Sequence, residues 1–462
     1  MAAMLNALPL EDESPFLPTN QTFPIVFDAL MEWGGTNSTH PLISPYNATL
    51  FMYQAYGNRT TTLAKLNPGY DWSGSPLSPP PLTNQPDLSL VDYLIMHQLF
   101  TLYLTNGCVP FTDENSLMEM ITQSNIWPQP IAVYGYDDTH PLFGGDIFEA
   151  ETLCVSQHNM GQVASSGVSN MAFYSRSPPI TTPLVQSSAP KLVYNSSKIY
   201  ITFLVGDGDN IAFAKGTRFT WFQERLTACA AGPNAVGCNY PLAWTMSSHL
   251  LTTAPGILQW YFSAALNTTK DYFLLPPSGH LYAYPGLMNT SMQQAFVSQT
   301  EVDVILFNTS TTVEWEFMGT WENAIQTYIP RYGNNGIIKG LFAVNVPYMI
   351  PIIEFGVNQT YIVVNSSTNK KESLSAGPTF LFRPNEWRGT TGGALLPPFM
   401  LNATAFASLI NNDYPLGTIT HIYLTSDGGA RWSDFTDLYN LLAEYVEVVP
   451  PDTLVDLARQ AS

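Results

Sequence analysis

Two carboxylates stand at the end of an apolar run in the stretch ITFLVGDGDN, residues 201–210. The run has the length and composition of a buried strand, and it stops at Gly206. Asp207 and Asp209 follow with one glycine between them. Carboxylates held in this way can transfer protons, attack as nucleophiles or bind a divalent metal ion. We therefore expect at least one of them to project into a polar pocket, with Asn210 orienting the pair.

Three short motifs resemble this doublet, and each fits incompletely. The acidic loop of haloacid-type phosphatases needs an earlier D-x-D-x-T nucleophile and a suitably placed lysine, which the sequence lacks. A calcium loop needs oxygen ligands where Ile211, Phe213 and Lys215 stand, and no glutamate closes it. The metal-binding doublet of nucleotide-sugar glycosyltransferases matches only as hydrophobic-D-x-D. A metal-dependent hydrolase or transferase stays open as an alternative, although our main prediction includes no metal and no cofactor.

Polar residues also follow other candidate strands. In a parallel barrel the strands end at one mouth, where the loops converge and active sites lie. Any single Asp or Asn can instead cap the following helix, but a whole set at one end favours a polar ligand site. The set comprises Asp137, Asp138, Asn170, His249, His280, Tyr282, Tyr284, Asn345, Glu386, Arg388 and Asp427.

Alternating strand and helix patterns must position these residues. Short apolar runs separated by helical segments predict strands that begin near 131, 199, 242, 272, 303, 338 and 419. The patterns also predict a strand at NMAFYS from 170, a hairpin at YIVVNSSTNKKESL and a helix from Leu88. This spacing predicts a (β/α) barrel of seven to eight mainly parallel strands in residues 126–462. Residues 1–125 are predicted to form an irregular and helical N-terminal region.

The composition restricts the partners. Charged residues make up 11% of the chain, and 17 Lys and Arg oppose 36 Asp and Glu, for a formal charge of −19. A polyanion would be repelled, so we predict no nucleic-acid partner. Aromatic residues make up 13% of the chain and can stack on sugar rings. The most apolar long stretch contains Lys339, Glu354 and two prolines, so we predict no membrane span; no oligomeric state follows.

The pattern of N-x-S/T triplets indicates the compartment. Many such triplets along one chain predict N-glycosylation and a secreted or luminal protein. The start, MAAMLNALPLEDES, has no basic region before its short apolar run, so we expect the signal peptide to lie outside this sequence. The acceptor asparagines are Asn20, Asn37, Asn47, Asn58, Asn195, Asn267, Asn289, Asn308, Asn358, Asn365 and Asn402.

Four cysteines without C-x-x-C spacing favour disulfides over a zinc site. Cys229 and Cys238 bracket the short loop AAGPNAVG, and a bridge there requires Cα atoms about 4.4 to 6.8 Å apart. We predict this bridge, and Cys108 with Cys154 is possible beside it. The sequence alone permits three pairings.

The run Gly279-His280-Leu281-Tyr282-Ala283-Tyr284-Pro285 resembles the motif Gly-x-Gly-Tyr-x-Tyr-Pro of the GxGYxYP family of putative glycoside hydrolases. Leu281 stands where the motif has its second glycine, so a leucine side chain must be accommodated there. The resemblance extends over roughly residues 125 to 450. It implies a barrel-containing extracellular protein that acts on carbohydrate, and it assigns no catalytic residues.

We therefore predict a secreted glycoside hydrolase that acts on a poly- or oligosaccharide through paired carboxylates. The carboxyl groups of such enzymes lie about 5 to 9 Å apart on different loops, so the doublet needs a partner from another strand end. A carbohydrate-binding protein without catalysis is the alternative from a different class. The predicted catalytic acids are Asp207, Asp209, Asp138 and Glu151, and the predicted substrate contacts are Asn210, His249, His280, Tyr282, Tyr284, Asp137 and Asn170.

Overall fold

The structure is a computed structural model. It describes residues 45–65, 90–102, 110–124, 126–135, 150–165, 168, 170–346, 353–356, 359–365, 377–390, 398–425 and 430–462. Within these ranges no helix is long and apolar enough to cross a lipid bilayer.

Helices and mainly parallel strands alternate along the described chain. The strands are β1 (Leu63–Lys65), β2 (Phe100–Leu102), β3 (Ile131–Tyr134), β4 (Met160–Val163), β5 (Ile199–Val205), β6 (Leu242–Thr245), β7 (Asp271–Leu274), β8 (Thr311–Phe317), β9 (Gly340–Val346), β10 (Tyr361–Val364), β11 (Thr379–Phe382), β12 (Glu386–Trp387), β13 (Ile419–Leu424) and β14 (Val446–Val448). The helices are α1 (Pro45–Tyr56), α2 (Val91–Met96), α3 (Asp113–Gln123), α4 (Ala150–Gln157), α5 (Met171–Tyr174), α6 (Ile211–Lys215), α7 (Thr217–Ala230), α8 (Leu250–Thr253), α9 (Pro255–Ala265), α10 (Thr290–Phe307), α11 (Trp321–Gln326), α12 (Ile329–Asn335), α13 (Ala403–Asp413), α14 (Asp434–Tyr439) and α15 (Pro451–Ala461).

The largest sheet has β5 at its centre. Its order is β12-β13-β5-β6-β7, β14 also pairs with β5, and all of these pairings are parallel. Every residue of β5 is buried. A parallel strand covered on both faces reads as a continuous apolar run, which explains the sequence ITFLV before the doublet.

Two further sheets come from strands that precede β5 in the chain and from strands between β7 and β12. The N-terminal sheet has the order β2-β1-β3-β4 and is parallel throughout. The third sheet has the order β10-β11-β9-β8, and β10 and β11 pair antiparallel. The hairpin predicted at YIVVNSSTNKKESL contributes β10, and residues 366–374 of that segment lie outside the described residues, so the hairpin stays a prediction. The N-terminal sheet takes strands from both sides of residue 125, and the predicted domain boundary there stays a prediction.

The predicted strands do not form one closed sheet. Within the described residues they divide among three sheets, and β7 meets β8 through the single bridge between Leu275 and Thr312. Proline has no N–H to donate to a ladder, and Pro276 and Pro277 follow that bridge directly. A proline also stands at a second change of sheet. Strand β11 pairs with β9 in the third sheet, the next strand β12 pairs with β13 in the large sheet, and Pro384 lies between them.

The large sheet and the third sheet nevertheless share one apolar cluster. The side chains that meet in it come from alternate positions of both sheets. They include Leu204, Tyr272, Leu274, Val313, Trp315, Phe342, Val344, Phe380 and Tyr423. The fold is therefore mixed α/β with parallel sheets whose inner faces pack together.

Three predicted elements are wrong. The strand predicted near 303 is the last part of helix α10, whose buried residues Phe296, Val304 and Phe307 follow helical spacing. The strand predicted at 170 is the short helix α5. Within the described part of the helix predicted from Leu88, the helix spans Val91–Met96, and Phe100–Leu102 form β2 because their backbone pairs with β1.

The predicted disulfide between Cys229 and Cys238 is present. The Cα atoms are 5.0 Å apart, within the range that the bridge requires. Cys154 is also disulfide-bonded, and Cys108 lies outside the described residues. The bridged loop connects the end of α7 to β6.

Candidate active site

The turn after β5 holds the carboxylate doublet in a conformation that few residues adopt. Asp207 has a φ of 54°, in the left-handed region that costs a non-glycine residue about 1 kcal/mol or more. Its N–H donates to the Tyr423 hydroxyl at 2.8 Å, and the Gly208 N–H donates to Thr245 Oγ1 at 3.0 Å. Neighbouring strands β13 and β6 thus fix the turn from both sides.

Both glycines of the turn are required by close packing. A Cβ at Gly206 would lie 2.3 Å from the Tyr423 ring, and a Cβ at Gly208 would lie 1.7 Å from the Thr245 carbonyl oxygen. No side chain tolerates such distances to neighbouring atoms. The sequence G-D-G-D therefore has glycine at the two positions where the backbone of the turn lies against β13 and β6.

The doublet lies at one cavity with aromatic walls. Asp207 and Asp209 are half-buried, and the side chains around them come from β8, β9, β13 and the segment after β7. The cavity is narrow and has room for about one water molecule. Its lining residues are Asp207, Asp209, Pro277, Tyr282, Trp315, Val344 and Tyr423.

A buried arginine supports the doublet from behind. Arg218 is 2% exposed, donates to the Gly206 carbonyl and stacks on Trp221, with 4.6 Å from Cζ to the ring centroid. Burial lowers the pKa of Arg218, and the charges of Asp207 and Asp209 oppose that shift. Burial, and then the same two carboxylates, raise the pKa of Tyr423. The turn is therefore a centre of negative charge with one cation beneath it.

The two motif tyrosines have different positions. Tyr282 lines the cavity, and its ring centroid is 4.3 Å from that of Trp315. Tyr284 is fully buried, with its ring 5.4 Å from Trp315, and is absent from the cavity lining. Of the two tyrosines predicted to share a pocket with Asp207 and Asp209, Tyr282 lines that cavity and Tyr284 does not. Substrate contact by Tyr284 stays a prediction, and its burial does not support it.

Leu281 is accommodated by a glycine elsewhere. It is 1% exposed, and a Cβ at Gly161 of β4 would lie 2.6 Å from the Leu281 Cβ. The neighbouring residues Gln162 and Tyr282 exchange two backbone hydrogen bonds of 2.9 Å. The N-terminal sheet therefore packs directly against the motif, and the absence of a side chain at Gly161 leaves room for Leu281.

The predicted histidines form a second polar group at the same edge. The rings of His249 and His280 are 5.0 Å apart, and His280 Nδ1 is 2.7 Å from Asp303 Oδ2. Burial, and then the charge of His280, lower the pKa of His249 to about 3, so its imidazole is neutral. Neither histidine lines the cavity described above. Their predicted role as substrate contacts stays a prediction.

The remaining predicted residues are scattered. Asn210 accepts a hydrogen bond of 2.9 Å from the Ala212 N–H and so caps α6, as the simpler interpretation had it. Asn170 is exposed at the start of α5, away from the cavity. Glu151 lies in α4, and nothing is described of its side chain. Asp137, Asp138 and Asp427 lie outside the described residues.

Two glutamates of β8 are buried on the face opposite Trp315. Tyr328 donates to Glu314 Oε1 at 2.5 Å and lies 3.1 Å from Glu316 Oε1, which also accepts from the Gly286 N–H at 2.5 Å. Burial raises the pKa of Glu316 to about 8 and that of Glu314 well above its usual range. Burial therefore favours the neutral form of both acids.

Glu386 is a buried acid on the inner face. It is 3% exposed, and its Oε1 accepts a hydrogen bond of 2.8 Å from the Asn345 N–H. It is in register with Tyr423 of the parallel neighbour β13, so both side chains face the same way. Burial raises its pKa to about 8. Among the described residues, no group of three or more His, Cys, Asp or Glu side chains is arranged to hold a metal ion.

The sequence did not single out the aromatic wall or the buried arginine. Trp315 and Tyr423 stand at inward positions of alternating strands, which the pattern of TTVEWEF and THIYLT could have indicated. Arg218 lies in a helix after the doublet, and no local pattern distinguishes it from an exposed residue.

The chain is similar to known proteins in its fold and in part of its sequence. No relative among curated proteins matches the chain. The fold is similar to a crystal structure described as a putative hydrolase from Bacteroides thetaiotaomicron VPI-5482, with a TM-score of 0.63 at 18% identity over 89% of this chain and 69% of that one. Residues 197–374, which carry the doublet and the motif, match the family model described as the GxGYxYP putative glycoside hydrolase C-terminal domain.

Proposed function

We propose that the protein hydrolyses glycosidic bonds at the cavity after β5. The observation that carries this proposal is that half-buried Asp207 and Asp209 share one cavity with Tyr282 and Trp315. Aromatic rings stack on the C–H faces of sugars, and carboxylates next to them can act on the bond between two sugar rings. The family match of residues 197–374 supports the same reaction.

A carboxyl group beyond the doublet completes the proposed chemistry. A general acid must hold a proton at the working pH, and Glu386 has that property because burial raises its pKa to about 8. Its shared face with Tyr423 directs it toward the doublet's side of the sheet. We assign Glu386 as the proton donor and one of the two aspartates as the nucleophile or base. Asp138 and Glu151 stay the alternatives predicted from the sequence.

Carbohydrate binding without hydrolysis is the second candidate. The narrowness of the cavity favours it, because a whole sugar ring would rest on the aromatic rim rather than enter. Tyr282 and Trp315 would serve such binding as well as they would serve catalysis.

Single amide substitutions separate the two candidates. Asp207→Asn, Asp209→Asn and Glu386→Gln keep shape and hydrogen bonding, and the amide oxygen introduced by the last of these can still accept from the Asn345 N–H. On a glycan that the wild type cleaves, at least one aspartate variant and the glutamate variant should lose about 100-fold or more in turnover with unchanged melting temperature. Asp437→Asn, at an exposed position of α14, is the control for loss of one charge.

Unchanged turnover in both Asp207→Asn and Asp209→Asn would overturn the assignment of these aspartates. Glycan binding by a wild type that cleaves no glycan would favour the second candidate.

We also propose that the protein is secreted and N-glycosylated. The disulfide between Cys229 and Cys238 supports an oxidising compartment. Asn289 and Asn402 cap helices through Oδ1, which leaves Nδ2 for a glycan. The acceptor asparagines with described side chains are all exposed: Asn58, Asn195, Asn267, Asn289, Asn308, Asn365 and Asn402. Protein from a eukaryotic secretory host should lose mass on treatment with peptide N-glycosidase, and an unchanged mass would count against the proposal.

A further inference from the structure

An open groove lies between helix α5 and the start of helix α9. Its volume is about 480 Å³, and none of its lining residues belongs to the cavity at the doublet. One wall comes from the chain at and after α5, and the other comes from the first turns of α9. The lining residues are Phe173, Tyr174, Arg176, Ser177, Gly256, Ile257 and Trp260.

The groove presents aromatic rings to solvent. Phe173 is 73% exposed, an unusual state for a large apolar side chain. Trp260 is held from behind by Phe219, with ring centroids 4.8 Å apart, so its orientation is set before any ligand arrives. Preformed aromatic surfaces of this kind suit a flat ligand with C–H faces, such as a sugar ring.

The groove also carries positive charge in an acidic protein. Arg176 is exposed and makes no ion pair with a described residue. The Lys215 ammonium lies 5.5 Å from the ring centroid of Tyr174. The neighbouring carboxylate of Asp92 accepts from the Ala172 N–H at 3.0 Å. In a chain with 17 basic and 36 acidic residues, an exposed arginine in the groove lining favours an anionic group on the ligand.

We propose that this groove binds an acidic sugar residue, a hexuronate within a glycan chain. The sugar ring stacks on Trp260 and Tyr174, and its carboxylate pairs with Arg176, whose planar guanidinium suits two carboxylate oxygens. A neutral sugar uses the rings without the cations, and a small inorganic anion uses the cations without the rings. The proposal does not depend on a catalytic role for Asp207 or Asp209.

Gly256 offers a clean way to close the groove. A Cβ there would meet no atom within 4 Å, so a larger side chain can enter the groove without disturbing the fold. Gly319 has the same open surroundings and lies outside the groove, which makes it the matched control. Gly256→Phe should block binding, and Gly319→Phe should leave it unchanged.

The experiment is calorimetric titration of the full chain with a soluble oligogalacturonate and with its methyl-esterified, neutral form. A background that carries both Asp207→Asn and Asp209→Asn removes both candidate reacting groups, so the binding result stays readable whether or not the proposed catalytic function holds. With the groove residues unchanged, the dissociation constant for the acidic form should be about fivefold lower than that for the ester. Arg176→Gln should make the two dissociation constants equal. Trp260→Ala should weaken both forms about tenfold.

Equal binding of the acidic and esterified forms would overturn the charge assignment. Binding that survives Gly256→Phe would place the ligand elsewhere and overturn the site. A melting temperature for each variant distinguishes a blocked groove from a damaged fold. Loss of binding in Gly319→Phe as well would also contradict the proposal.

Discussion

Two of the protein's acid pairs share the same spacing and have opposite environments. Asp207 and Asp209 flank a glycine on a turn, whereas Glu314 and Glu316 flank a tryptophan on a strand. Residues two apart on a strand face the same way, so both glutamates lie on the outer face of β8 and Trp315 faces inward. One spacing therefore produces a pair at a cavity in the first case and a pair inside the protein in the second.

Burial decides what each pair can do. Helices α11 and α12 follow β8, and Tyr328, next to α12, donates to Glu314 while Gly286 donates to Glu316. Burial keeps bulk water away from such a site, so the neutral acid is favoured and the pair acts as a hydrogen-bonding anchor. The aspartates are half-buried beside a buried cation and keep contact with solvent. Spacing alone does not identify a reactive pair; exposure and counter-charge do.

The largest expected effect separates the pairs by activity. At least one of the variants Asp207→Asn and Asp209→Asn should lower turnover about 100-fold or more, because one of these aspartates is the proposed reacting group. Glu316→Gln should change turnover less than about threefold, since the amide oxygen can still accept from the Gly286 N–H. Steady-state kinetics on the same glycan measures both. A comparable loss in the glutamine variant would mean that the buried pair takes part in catalysis.

The next effect tests the close packing of the doublet turn. Gly208→Ala should lower the free energy of unfolding by roughly 2 to 3 kcal/mol, because its Cβ would lie 1.7 Å from the Thr245 carbonyl oxygen. Gly256→Ala, where the same atom meets open space in a helix, should be neutral or slightly stabilising. Denaturant unfolding of the two variants compares them. Equal stability would show that the turn is loosely held.

A third prediction concerns pH. Glu316 and Glu386 have folded pKa values of about 8, raised from about 4.5. Between about pH 4.5 and pH 8 the folded state binds more protons than the unfolded state, so the free energy of unfolding falls as the pH rises through this range. His249 and His421, lowered from 6.5 to about 3, oppose this trend below pH 6.5.

Stability should therefore fall between pH 6.5 and 8, by at most about 1.4 kcal/mol per pH unit for each acid. Urea denaturation at several pH values measures the slope, and Glu316→Gln should reduce it. A slope that is the same in wild type and variant would show that Glu316 is ionised throughout.

The smallest effect tests the hydroxyl between the glutamates. Tyr328→Phe should cost about 1 kcal/mol of stability, because Glu314 loses its 2.5 Å donor. Thermal unfolding at pH 6 measures this cost, and turnover at the doublet should not change. A large loss of activity at constant stability would show that the buried pair Glu314 and Glu316 affects the reaction at the cavity.

The sequence predicted what local patterns determine. The apolar run of β5 and the bridged loop between Cys229 and Cys238 depend on residues close together in the chain, and the structure has both as predicted. It did not predict the division into sheets, which depends on pairings between distant strands and on prolines such as Pro276 that interrupt them.

Burial that comes from distant elements also escaped prediction. Glu314 and Glu316 alternate with apolar residues in TTVEWEF, which is typical of a strand with one face in water. Later helices cover that face, and no pattern within the strand signals the cover. The aromatic wall at Trp315 escaped for a similar reason, because it forms only when two sheets meet.

The central position of β5 has a consequence for what can fold alone. The family match ends at residue 374, yet β5 hydrogen-bonds to β13 and β14, and Gln162 bonds to Tyr282 across the motif. A fragment cut to the matched residues would leave one edge of β5 without its ladder and Leu281 without its cover. Such an edge invites pairing between copies. The segment that matches the family model is thus smaller than the unit that we expect to fold.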